Sequence, residues 1–406
     1  MKITEIRTYL MHAGAPNLRK WAADGSFGTQ SFSKNLTGTR NWLFVKVFTD
    51  EGITGIGECS GWPRVIETAV QDISRLLVGE DPTHIERLWQ KMQIAIMGHG
   101  MTGTVGAGAM TGIDMALWDI KGKKLGVPVW NLLGGKVRDK VRIYAHANTP
   151  EVALSLKERG FTAFKMGGVS NPVRKFAALR EAVGDEMDIA IDLHGPPWLT
   201  PADAVQVCRE LEPYRPLWVE DPIAPENVEG FKRIRDHSSV PLAAGERQAT
   251  IFGERELIVR ELVDVIQPDT GRAGGITQMK KIAAMAEAHH IMMAPHSGSL
   301  GPVAEYAALH VLAAIPNGLI LERIEDDWEG REKTIVPHPV QQDGFLTVPD
   351  APGLGCDIDE AFVAEFPSEA NVSIPVTETS GSYAKGTYNE HVYVQTRLGR
   401  GTYFPK

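Results

Sequence analysis

Asp188-Ile-Ala-Ile-Asp192, Leu217-Trp-Val-Glu220 and Leu242-Ala-Ala-Gly-Glu246 are short apolar runs, each closed by a carboxylate. Val265-Ile-Gln-Pro-Asp269, Ile291-Met-Met-Ala-Pro-His296 and Leu319-Ile-Leu-Glu322 continue the series. Runs of this length, bounded by turn signals and separated by helical segments, suit strands buried on both faces, as a parallel sheet requires. Their repeat of roughly 25 to 30 residues is what a (β/α)8 barrel needs, since about 250 residues serve eight units. Strand C-termini form the active face of that fold, so these polar side chains are expected to share one rim.

Outward from this stretch, Val141-Arg-Ile-Tyr144 and Ala163-Phe-Lys165 read as the first two barrel strands, and eight can be counted through Leu321. Near the start, Trp42-Leu-Phe-Val-Lys-Val-Phe48 faces Ile53-Thr-Gly-Ile-Gly57 across Thr49-Asp-Glu-Gly52, a hairpin signal. Helical periodicity then dominates from Val65 to Gly126. The segment between Tyr9 and Asn41 is too irregular for an element and too long for an idle connection, so a lid is expected there. The fold class expected is α/β, a modified (β/α)8 barrel over residues 131–345. An α+β capping domain over 1–130, carrying the lid, would precede it, and a C-terminal segment over 346–406 would return to cover that domain.

Composition narrows the function classes. The 406-residue chain, 43% hydrophobic, can bury a large core, and two domains are the natural prior. A formal charge of −9 argues against a nucleic-acid or membrane surface. Cys59, Cys208 and Cys356 show no C-x-x-C pairing and read as buried or incidental thiols of a reducing compartment. Charges interrupt Met1-Lys-Ile-Thr-Glu-Ile-Arg7 where a signal peptide needs an apolar core, so a cytoplasmic location is expected. Gly98-His-Gly-Met-Thr-Gly103 matches a dinucleotide-binding pattern but follows a helical stretch, which argues against that use.

Asp192, Glu220 and Glu246 on neighbouring strand ends would repel one another unless a cation lay between them, and all-oxygen ligation selects a hard divalent ion such as Mg²⁺. Any one of them alone could equally cap a helix or pair with Arg247. Asp269 and His296 end adjacent strands, so carboxylate and imidazole can meet, which makes His296 the leading proton-transfer residue. His194, two residues past Asp192, would face the same mouth as a metal ligand or an acid. Lys165 ends the second strand inside the barrel, where an unpaired ammonium is costly, so it should face the carboxylates or a substrate anion.

With these residues assembled, nearly the whole chain resembles the enolase superfamily, in its mandelate racemase branch, and most closely its acid-sugar dehydratases. The matching segments are Ala116-Leu-Trp-Asp-Ile-Lys-Gly-Lys123, Ile191-Asp-Leu-His-Gly195, Glu220-Asp-Pro222, Ala243-Ala-Gly-Glu-Arg247, Ile266-Gln-Pro-Asp269, Ala273-Gly-Gly-Ile-Thr277 and Ala294-Pro-His296. The resemblance implies that Asp192, Glu220 and Glu246 hold Mg²⁺, that Asp269 and His296 form a catalytic dyad, and that Glu322 hydrogen-bonds the enolate, donating if protonated. It implies removal of the α-proton of a galactonate-like aldonate by His296, a metal-stabilised enediolate, loss of the β-hydroxyl with a proton from His194, and a 2-keto-3-deoxy acid as product. A homo-oligomer, dimer or octamer, would fit. Gly167 stands where racemases of the branch carry a second lysine, which weakens a racemase reading. Two alternatives remain: an epimerase or cycloisomerase using Lys165 opposite His296, and a non-catalytic sugar-acid-binding protein.

Overall fold

The computed structural model describes residues 1–13, 40–99, 103–169, 171–194, 198–297, 301–324 and 330–368. Strands β1 (Ile3–Ala13), β2 (Arg40–Thr49) and β3 (Thr54–Cys59) form an antiparallel sheet in that order. Here the structure differs from the expected irregular stretch beginning after Tyr9. Strand β1 runs on to Ala13 and pairs Met11 with Trp42, burying Met11 and Ala13 in alternation. The rest of the expected lid, residues 14–39, lies outside the described residues.

Helices α1 (Pro63–Ser74), α2 (Ile85–Ile96) and α3 (Thr104–Leu125) follow. Helix α3 presses on β3 because Gly55 and Gly57 leave room: a methyl group at either would collide with the carbonyl oxygens of Ala116 and Gly112. The Gly98–Gly103 pattern falls between α2 and α3, partly outside the described residues, with a helix rather than a strand before it.

The barrel alternates as β4 (Lys140–His146), α4 (Pro150–Glu158), β5 (Ala163–Gly167), α5 (Pro172–Val183), β6 (Asp188–Asp192), α6 (Pro201–Leu211), β7 (Val219–Glu220) and α7 (Val228–Arg235). It continues with β8 (Leu242–Ala244), α8 (Thr250–Val259), β9 (Val265–Ile266), α9 (Gly275–Ala288), β10 (Met292–Met293), α10 (Pro302–Ala314) and β11 (Leu321–Glu322). Strands β4 to β10 pair in parallel in sequence order. A bridge from Met293 to Gly318 and the pairing of β11 with β4 close the ring. Tyr144, Ala163, Ala190, Trp218, Ala243, Val265, Ala294 and Ile320 form one buried cluster with a member on every strand or its flank, so the interior is a packed plug and not a pore.

After the barrel, β12 (Ile335–Val336) pairs with β15 (Asp357–Ile358). Between them, β13 (Gln341–Gln342) and β14 (Phe345–Thr347) form a hairpin whose second strand lies antiparallel on β4, across the boundary expected at 345. Helix α11 (Glu360–Glu365) returns to the first sheet, where Lys46 Nζ donates to Glu360 at 2.6 Å and to Asp357 at 3.0 Å. Residues 369–406 lie outside the described residues.

Two of the segments that carry the family resemblance meet across the two layers. The Thr277 hydroxyl and backbone N–H, in α9, donate to Asp114 of α3 at 2.6 and 3.0 Å, and Trp118 Nε1 donates to the Thr277 hydroxyl at 2.9 Å. Gly275, at φ 86°, lies so close to Asp114 that a side chain there would collide with its carboxylate. Glu58 of β3 accepts the N–H groups of Gly301 and Ala304 at the start of α10, where the helix presents unsatisfied donors.

His310 is the third such tie. It is fully buried on α10, its Nε2–H donating to the Leu354 carbonyl at 3.0 Å while Nδ1 accepts the Trp130 N–H at 3.2 Å. Burial pulls its pKa down to about 4 from the usual 6.5, so the folded chain keeps the ring neutral while the unfolded chain takes the proton first. Stability from this group is therefore complete above pH 6.5 and is lost as pH falls toward 4. His310→Leu should cost about 2–4 kcal/mol in urea denaturation at pH 7, because two buried backbone groups lose their partner. Between pH 7 and pH 5 the wild type should lose about 2 kcal/mol more than the variant.

Candidate active site

The rim follows from strand period. Side chains two residues apart face the same way, so each residue of the interior cluster predicts a rim residue two positions on. Tyr144, Ala163, Ala190 and Trp218 lead in this way to His146, Lys165, Asp192 and Glu220, and Val265, Ala294 and Ile320 lead to Gln267, His296 and Glu322. The fifth strand breaks the rule. Ala243 leads to Gly245, whose φ of 139° and crowding against the Gln267 backbone exclude a side chain, and the carboxylate arrives one residue later at Glu246.

Lys165 sits at the centre, 3% exposed. Its Nζ lies 2.9 and 3.0 Å from the Glu220 oxygens, 2.8 Å from Glu322 Oε1 and 3.7 Å from Asp192 Oδ2. Burial disfavours its charge, but these carboxylates outweigh burial and hold the pKa well above the usual lysine value. Trp218 Nε1 at 3.2 Å and Gln267 Nε2 at 3.0 Å also donate to Glu220, whose carboxyl burial nonetheless pushes up.

His194 and Asp192 are joined twice, with Nδ1 at 2.6 Å from Oδ2 and the His194 N–H donating to Oδ1 at 3.0 Å. Burial opposes both charges, yet their mutual attraction prevails: the imidazole rises to about 9, and with Lys165 helping, the carboxyl falls to about 2.

His296 Nδ1 lies 2.6 Å from Asp269 Oδ2, while Nε2 lies 2.7 Å from Glu246 Oε2 and 3.6 Å from Glu322 Oε2. Asp269 is itself fixed, accepting the Gly271 N–H at 2.9 Å. Burial disfavours the imidazolium, but Glu246 and Glu322 hold its pKa well above the usual range. Arg247 binds Glu246 at 2.8 Å, also pairs with Asp221, and lies over the Trp198 ring.

The resemblance gives Glu322 a donor's role only if its carboxyl is protonated. Burial favours that form, but Lys165, His296 and His146 together hold its carboxyl well below the usual range, so as it stands it is an acceptor. His146 Nε2 at 2.7 Å and the Ser297 N–H at 2.7 Å complete its shell.

The structure thus brings together all eight residues singled out from the sequence. The sequence reading passed over His146, Gln267 and Ser297, although the two-residue step from Tyr144 and Val265 marks the first two. Asp192, Glu220 and Glu246 offer only carboxylate oxygens from successive strand ends, the donor set of a hard divalent cation, and Asp192 and Glu220 already share the Lys165 ammonium. As they stand, each is turned to a cationic side chain, and among the described residues no three acidic, histidine or cysteine side chains close a metal shell by themselves.

The profile described as Mandelate racemase / muconate lactonizing enzyme, N-terminal domain, matches residues 30–134, and that described as Enolase C-terminal domain-like matches residues 149–362. A D-galactonate dehydratase of Ralstonia pickettii (strain 12J) is 39% identical over 355 residues, spanning 81% of this chain and 92% of that protein. The 3,6-anhydro-D-galactonate cycloisomerase of Zobellia galactanivorans superposes with a TM-score of 0.80 at 30% identity, covering 91% of this chain and 100% of the other. An enolase from Pantoea ananatis with bound D-gluconate and Mg superposes at 0.79 and 30% identity, covering 91% and 95%. Paired profiles, a relative matched over most of its length and a barrel rim of carboxylates, lysine and histidines agree: the chain belongs to the enolase superfamily, in its mandelate racemase branch.

Proposed function

We propose that this enzyme is a Mg²⁺-dependent sugar-acid dehydratase, a hydro-lyase that converts an aldonate of the galactonate type into a 2-keto-3-deoxy acid. The named relatives act on or bind sugar acids, which supports the substrate class. The observation that carries the reading is the placement of two histidines, each oriented by an aspartate through Nδ1, on the third and seventh strands of a ring of eight. Four strands apart, they approach a substrate at the mouth from opposite sides, as removal of a proton and departure of a hydroxyl from neighbouring carbons require.

Asp192, Glu220 and Glu246 are the residues that would hold Mg²⁺, which when bound supplies Lewis-acid stabilisation of negative charge on the substrate carboxylate. His296, kept in orientation by Asp269, takes the α-proton at Nε2 once Glu246 is turned elsewhere. Lys165, charged and in contact with three carboxylates, places a fixed cation beside the carboxylate on which enediolate charge accumulates. His194, its Nδ1 on Asp192, hands a proton from Nε2 to the departing β-hydroxyl. The enol then tautomerises to the keto acid.

A sugar-acid library incubated with Mg²⁺ should give 2-keto acid from at least one aldonate, with activity lost on chelation and restored by Mg²⁺. Exchange of the α-proton in deuterated water with the hydroxyl retained on every acid would point instead to an epimerase. His296→Asn should lower kcat by about 10²–10⁴-fold while Mg²⁺ affinity by calorimetry stays near wild type. His194→Asn should still exchange the α-proton in deuterated water yet form no keto acid. Unimpaired keto-acid formation by either variant would remove that residue from the mechanism.

A further inference from the structure

His146 is the last residue of β4, in register with Lys165 of β5. Two residues past Tyr144, it faces the barrel mouth. It stands apart from its neighbours in one respect: its side chain is 34% exposed, whereas those of Lys165 and Glu322 beside it are 4% and 1% exposed. Its Nε2 lies 2.7 Å from Glu322 Oε1, and Nδ1 has no hydrogen-bond partner among the described residues.

That asymmetry defines a chemistry. A carboxylate on Nε2 requires a proton there, and in the neutral ring this leaves a lone pair on Nδ1. An accessible lone pair at the mouth accepts from an O–H group, and it repels a carboxylate or carbonyl oxygen. Glu322 is already engaged by Lys165 and Ser297, so it anchors the ring without needing the ring's second nitrogen. We propose that His146 is a specificity-determining residue whose Nδ1 accepts a hydrogen bond from a hydroxyl on the polyol chain of the substrate. This rests on the sugar-acid reading above and adds which strand reads the chain. The contact selects acids bearing a hydroxyl at one carbon over analogues deoxygenated there.

The test compares wild type, His146→Phe and His146→Gln on the best aldonate and on its deoxy analogues, each lacking one chain hydroxyl. Thermal melts check folding, and calorimetry of galactonate and gluconate binding in the His296→Asn background supplies a readout independent of turnover. For the full aldonate, His146→Phe should raise KM by about 10- to 100-fold with a smaller change in kcat, and His146→Gln, which keeps an acceptor, should recover part of the loss. One deoxy analogue should bind wild type and His146→Phe alike, since its missing hydroxyl is the one accepted. Equal KM and Kd for wild type and both variants on the full aldonate overturns the proposal, as does an equal penalty on every analogue, which marks a role through Glu322 only. If wild type neither binds nor converts any sugar acid, the substrate class fails along with this contact; if it does and His146 is silent, only this contact fails.

Discussion

Charge compensation at the barrel mouth is the constraint around which the rest is arranged. Asp192, Glu220, Glu246, Asp269 and Glu322 are all almost fully buried on strand ends, where unpaired carboxylates are expensive. The chain meets this cost with Lys165 and His296, each placed against three of the acids, with His194, locked onto Asp192 by two bonds, and with Arg247, which pairs with Glu246 and the neighbouring Asp221. Every cation lies within reach of a proposed metal ligand. The same arrangement therefore offsets the cost of burying these acids and keeps their side chains in a polar, preorganised setting, from which the proposed divalent ion would recruit them.

Such a rim needs rigid support beneath it. The interior cluster under the rim alternates bulky Tyr144 and Trp218 with alanines at 163, 190, 243 and 294, and Trp218 also reaches up to Glu220 through its indole N–H. From the other side, β3 and α3 fix the helices that follow the strands leading to Asp269 and His296. Asp114 grips the start of α9 at Thr277, eight residues beyond Asp269, and Glu58 grips the start of α10 after His296 and Ser297. Two of the segments that carry the resemblance thus serve assembly, and the chemistry depends on them at one remove.

The eight strands and their polar termini were legible in the sequence because burial on both faces forces short β-branched and small-residue runs, and because a strand can put a polar side chain at the rim only at its end. The eight residues singled out were legible for the same reason. His146 and Gln267 were hidden by two local features: β4 runs two residues past the apolar stretch that ends at Tyr144, and Gln267 is followed at once by Pro268-Asp269, whose acid is the more evident polar terminus. The extension of β1 to Ala13 was obscured because His12 interrupts the apolar pattern, and its pairing depends on residues from Arg40 on. The cationic surroundings of Glu322 were not legible at all, since they depend on Lys165 and His146 converging from two other strands.

The position of Lys165 bears on which outcome follows loss of the α-proton. Epimerisation needs a second group able to take and return a proton opposite His296, and the second strand is where such a group would stand. Lys165 is there, in contact with Glu220, Glu322 and Asp192, which hold its pKa well above the usual lysine value, and the position two residues on is Gly167. A lysine kept charged stabilises an enediolate but cannot act as its base. Among the described residues His194 is hydrogen-bonded to Asp192 alone, and in the proposed mechanism it is the group that would protonate the leaving hydroxyl. In the proposed mechanism, this difference between a caged Lys165 and a tethered His194 is what would direct the reaction to elimination.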